Sequence, residues 1–103
     1  MILVNTDFVT DKEIVTLGTV KGSMIQSKHL GRDIMSGLKT LVGGELTAYS
    51  EMLNEARAIA TKRMVEDAEK LGADGVVNMR YATSNIMQGA AEVLVYGTAV
   101  KFK

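Results

Sequence analysis

Hydrophobic positions along this chain pass from strand-like to helical spacing and back, and the successive runs predict five elements. Residues 13–25 are rich in β-branched types, with Ile14, Val15, Thr16, Leu17, Thr19 and Val20 in close succession. That composition predicts a first long strand, and Gly18 and Gly22 predict bends or bulges within it. In residues 31–41 the apolar positions Ile34, Met35, Leu38 and Leu41 return at helical spacing and Gly43-Gly44 supplies a stop, so a short helix is expected. Over residues 46–71, Tyr49, Met52, Leu53, Ala56, Ile59, Ala60, Met64, Ala68 and Leu71 fall on one stripe, the signature of a long amphipathic helix. Thr47 is its expected N-cap, Lys70 favours the C-terminal end of the dipole, and Gly72 fits the left-handed position that closes a helix. Lys62 with Glu66 and Glu66 with Lys70 mark its wet side.

Beyond the Gly72-Ala73-Asp74-Gly75 turn, Val77, Met79 and Tyr81 alternate with Asn78, Arg80 and Ala82, the period of a half-buried strand. Residues 84–89 read as a connecting loop. The last strand, residues 91–102, places Leu94, Tyr96, Val100 and Phe102 on one side and Val93, Val95, Gly97 and Ala99 on the other. Both sides are apolar. The predicted fold class is therefore α+β, a small antiparallel sheet of about three long strands with one long amphipathic helix and one short helix, in a single domain over residues 1–103.

This arrangement is short of cover. A helix of about 25 residues is roughly 37 Å long, whereas a compact chain of this length has a radius of gyration near about 13 Å. One long helix and one short one protect a single face of the sheet, and the last strand asks for protection on both. Self-association into a homo-oligomer is the expected remedy, since closed assemblies of identical chains commonly bury such surfaces.

Composition narrows the chemistry. Twelve Lys and Arg balance twelve Asp and Glu, so no net field gathers nucleic acid or anionic membrane, and neither is an expected partner. Cysteine is absent, which removes disulfides, thiolate nucleophiles and Cys-based metal sites. The opening Met1-Ile2-Leu3-Val4 is too short for a signal-peptide apolar region, and no run approaches the roughly 20 residues of a membrane span. The expected location is cytoplasmic.

Several residues together are similar to a known pattern. Arg32-Asp33-Ile34, Gly37, Val42-Gly43-Gly44, Tyr49, Arg57, Ala60, Ala68, Leu71-Gly72-Ala73, Val76-Val77 and Tyr96-Gly97-Thr98-Ala99-Val100 match the YbjQ-like family in order and spacing. The resemblance runs from about Lys12 to Lys103. It implies a subunit of dodecin-like shape assembled as a ring, a pentamer, and heavy-metal binding is the role attached to the family. The chain departs from the family pattern at Val9-Thr10-Asp11-Lys12, which lacks a glycine, and at Gly75 and Asn78, where alanine and glycine are usual.

Candidate chemistry is sparse. His29 is the only histidine, and with Asp33 it makes half of a metal site; Met24 or Met35 would have to add soft ligands. A ring can complete such a site from one His per copy. Met52, Met64 and Met79 are read as core side chains. Arg32 and Asp33 suit a helix cap with an ion pair between subunits, or an anion site. Arg57 borders the apolar stripe and its planar fork suits a carboxylate across an interface. With Tyr49, these form the set of ligand or interface candidates. Catalysis is not expected: Ser27 and Ser36 near His29 lack a nucleophile elbow, and Glu51 and Glu55 lie on the wet side of the helix. Two readings follow, a structural or binding ring without chemistry, and a carrier of a small ligand or metal between subunits.

Overall fold

The computed structural model describes residues 1–27, 44–87 and 90–103. Strand β1 spans Ile2–Leu3, β2 spans Ile14–Ser27, helix α1 spans Gly44–Lys70, β3 spans Gly75–Met87 and β4 spans Ala90–Phe102. The sheet has four strands in the order β1-β3-β4-β2. β4 lies antiparallel between β2 and β3, and β1 runs parallel to β3 with Ile2 opposite Gly75. The sheet is thus mixed, and not the three-stranded antiparallel sheet expected. β1 escapes a periodicity argument because two residues have no period, and its partner lies more than seventy positions away.

Helix α1 crosses one face of the sheet, chiefly over β2 and β4. Met52, Ala56, Ala60, Met64 and Ala68 are buried at steps of four, the spacing that keeps one helical face inward. Across from them Val20, Val76, Val93, Val95 and Ala99 complete the core, with Leu3, Leu17, Met24, Ala73 and Met79 packed at its margin. Small residues on both sides set a close approach. A Cβ on Gly22 would overlap the Ala60 carbonyl oxygen and the Met64 amide nitrogen, so the strand meets the helix backbone to backbone there. Gly22 is therefore a packing glycine, whereas Gly18, at φ 151°, sits at the bulge where the β2–β4 register shifts after Thr16.

The C-terminal end of α1 closes as the glycine predicts. Gly72 has φ 76°, its N–H donates to the Glu69 carbonyl at 3.0 Å, and the Ala73 N–H donates to the Ala68 carbonyl at 3.2 Å. This is a Schellman closure. It turns Leu71 outward to 48% exposure, off the apolar stripe on which its spacing placed it. Thr47 lies inside α1, which begins three residues earlier at Gly44, so it does not cap the helix.

Residues 84–87 continue β3 instead of forming a loop: Ser84 opposes Glu92, Asn85 opposes Ala91 and Met87 opposes Ala90. The alternation predicted for Val77, Met79 and Tyr81 is also broken. Val77 opposes Thr98 and Arg80 opposes Tyr96, so Asn78 and Met79 share the single position across from Gly97. Asn78 takes φ 53° to make this bulge, a conformation asparagine tolerates better than most residues. As a result Val77 and Tyr81 face opposite sides of the sheet. The short helix expected over residues 31–41 lies outside the described residues.

Candidate functional site

His29, Arg32 and Asp33 lie outside the described residues, as does the side chain of Tyr49. Arg57 is half-buried on α1, and its guanidinium Nη1 donates to Asn54 Oδ1 at 2.7 Å. The Arg57 carbonyl accepts from Thr61 Oγ1 at 2.7 Å, and the same hydroxyl lies 2.8 Å from the Tyr81 hydroxyl. A polar chain thus ties the helix to β3 at an exposed position. Glu51 and Glu55 are exposed, as the helical spacing predicts.

The sheet face away from α1 is buried at its Val77 and Val100 end and exposed beyond it. Directly opposed residues of antiparallel strands share a face, so Lys21, Ser23 and Ile25 of β2 stand beside Tyr96, Leu94 and Glu92 of β4. The same β4 residues stand beside Arg80, Ala82 and Ser84 of β3. Ile25 is 58% exposed and Tyr96 37% exposed, and no described element covers them. Where this face meets the N-terminal segment, Leu3, Val4, Asn5 and Thr6 with Met79, Arg80, Tyr81 and Tyr96 line an open cleft of about 1010 Å³.

The helix caps the outer edge of β2 at Lys21 and Ser23. The Lys21 main-chain N–H donates to Asp67 Oδ2 at 3.3 Å, and Arg63 Nη1 donates to the Ser23 carbonyl at 2.7 Å. One turn apart on α1, these two side chains take the places of a neighbouring strand's acceptor and donor. Sequence reading passed over both, because an arginine and an aspartate four apart look like another exposed helical pair.

A heavy-metal ion finds little here to hold it. Among the described residues no three His, Cys, Asp or Glu side chains gather. The Met24 thioether has the Arg63 guanidinium Nη1 3.6 Å from its sulfur, a positive charge that disfavours a second cation. The described donors do not fit a soft metal, and His29, the one imidazole of the chain, lies outside them.

Among the described residues, one long helix on one face of a four-stranded mixed sheet defines an α+β class of domain. The fold agrees with a solved structure of a protein of unknown function from Pediococcus pentosaceus, of the DUF74 family, at a TM-score of 0.67 and 17% identity over 100% of this chain and 98% of that one. The chain belongs to the YbjQ_1 family, whose description is "Putative heavy-metal-binding" and whose model matches residues 1–103. It is 75% identical over 101 residues to a UPF0145 protein of Clostridium novyi, covering 98% of each chain. It is 66% identical over 102 residues to a UPF0145 protein of Methanosarcina acetivorans, covering 98% of this chain and 96% of that relative.

Proposed function

We propose that this protein is a cytoplasmic, self-assembling structural or binding module without catalytic activity, a ring whose subunits cover one another's open sheet faces. The carrying observation is the part of the sheet face beyond Val77 and Val100, where Ile25 and Tyr96 are exposed and no described helix or strand lies across them. The elongated outline supports it. The described residues extend 53 × 22 × 15 Å with a radius of gyration of 16.7 Å, against about 13 Å for a compact chain of this length. Sister subunits are the expected partners, in the pentamer that the family resemblance implies, and the balanced charge gives no reason to add nucleic acid or membrane.

The test places charge on the open face. Leu94→Glu and Tyr96→Glu are expected to reduce the mass in sedimentation velocity toward one chain while far-UV circular dichroism is retained. An unchanged mass with either variant overturns the reading.

The family description favours a second reading, a heavy metal or small ligand held between subunits near His29, Arg32 and Asp33. One imidazole per chain becomes several around a ring axis, which is the way such a site can form from a chain without cysteine. Titration of tag-free protein with Zn²⁺ and Cu²⁺ is expected to give saturable binding that His29→Ala abolishes. Equal uptake by both proteins counts against it.

A further inference from the structure

The exposed part of the sheet face carries one row of unlike side chains. Lys21 of β2 and Arg80 of β3 both stand directly opposite Tyr96 of β4, so a phenol ring lies between two cations. Adjacent strands are about 4.8 Å apart, which puts the two cationic stems about 10 Å from each other across the ring. Lys21 and Arg80 are exposed, and Tyr96 keeps 37% of its surface open.

No described carboxylate neutralises this row. Among the described residues the ion pairs are Lys101 with Asp74 and Lys103 with Glu13, and neither involves Lys21 or Arg80. Asp7 and Asp11 of the N-terminal segment are exposed and pair with neither cation. Among the described strand residues of this face the acidic one is Glu92, four positions along β4 from Tyr96. At about 3.3 Å per residue it is about 13 Å away, beyond the screening length of about 8 Å in physiological salt.

The cleft beside the N-terminal segment opens onto Arg80 and Tyr96 and is bordered by Asn5 and Thr6. Its volume of about 1010 Å³ matches the upper end of small-molecule sites, about 300–1,000 Å³. The guanidinium fork suits a pair of phosphate or carboxylate oxygens, and a lysine adds a second charge. The phenol offers a flat apolar surface to a ring. Lys21 and Arg80 are long enough to converge above Tyr96 on one dianion. A phosphate monoester, with about −1.5 to −2 charges at neutral pH, answers two cations better than a carboxylate does. Single-stranded nucleic acid needs a succession of stacking positions. Leu94 and Thr98, the neighbours of Tyr96 on this face of β4, provide none.

We infer that Lys21, Tyr96 and Arg80 form a binding site for a small phosphorylated ring compound, with the phosphate on the two cations and the ring against the phenol. The inference rests on the binding-module reading proposed above and gives it a ligand class, at a place separate from His29. Covering of this face by sister subunits increases the demand for an anion, because a cation taken out of water must be paired. The three residues belong to one chain, so ligand binding and assembled mass are measured separately.

Isothermal titration calorimetry of tag-free protein with adenosine monophosphate, adenosine and inorganic phosphate tests the site. The nucleotide is expected to bind saturably and at least about tenfold more tightly than either part alone, since stacking and charge pairing both contribute. Arg80→Gln is expected to weaken the nucleotide at least about tenfold without weakening adenosine. Tyr96→Leu is expected to weaken it similarly without weakening inorganic phosphate, and Lys62→Gln on the wet side of α1 to change nothing. No saturable binding by wild type, or equal binding by Arg80→Gln, overturns the site. That failure with an intact assembly leaves self-association standing, whereas a single-chain mass with binding intact overturns self-association alone. Should either variant fail to fold, wild-type amide spectra decide the matter. The nucleotide is expected to shift the Lys21, Arg80 and Tyr96 amide resonances, and shifts confined to other residues overturn the site.

Discussion

Gly22 lies so close beneath Ala60 that a methyl group at Gly22 would occupy the space of the Ala60 carbonyl oxygen. Neither backbone can give without moving the whole of α1 off β2. Gly22→Ala is expected to cost about 3 kcal/mol, the upper part of the usual range for overpacking a filled site. Chemical denaturation measures it, and a loss below about 0.5 kcal/mol would mean that the helix sits farther from the strand.

Met64 is fully buried at the centre of the same contact, among Val20, Ala60, Val93 and Val95. Its neighbours are small or β-branched and fill a cavity poorly. Met64→Ala is expected to destabilise by about 2–5 kcal/mol. Met64→Leu, nearly equal in volume, is expected to cost less than about 1.5 kcal/mol. Similar losses for the two would show that volume does not govern this position.

At the β3 bulge, Asn78 holds φ 53° opposite Gly97, where an added Cβ would stand 2.6 Å from Val76 Cγ1. Asn78→Gly is expected to change stability by less than about 1 kcal/mol, because glycine reaches the same conformation. A β-branched residue cannot, and Asn78→Val is expected to lose about 1–3 kcal/mol. Paired thermal melts of the two variants check this, and equal midpoints would contradict the assigned backbone.

Asp67 caps the Lys21 amide from outside the sheet. The pair is largely exposed, so Asp67→Ala is expected to cost no more than about 1.5 kcal/mol globally. Its effect should be local: the Lys21 amide is expected to exchange faster while Gly22, bonded to β4, keeps its protection. Unchanged exchange at Lys21 would show that Asp67 does not close the edge.

Much of the fold was legible where one face of an element is buried. The stripe Met52, Ala56, Ala60, Met64 and Ala68 and the two-sided apolar pattern of β4 are such cases. Legibility failed where no face is buried: Thr83, Ser84 and Asn85 are polar and exposed on both sides, so their strand pairing leaves no periodic trace. Asp67 and Arg63 were hidden for a related reason, since their partners are main-chain groups forty-six and forty positions away and no side-chain pattern encodes them. Gly22 and Gly18 looked alike in sequence, and only the approach of Ala60 separates a packing glycine from a bulge glycine.

The most direct measurement is sedimentation equilibrium of the unmodified protein at micromolar concentration. A mass several times the 11.1 kDa of one chain, fivefold if the family resemblance extends to the assembly, is the predicted result. A mass of one chain across the concentration range would contradict the account, because no described element of the chain covers Ile25 and Tyr96.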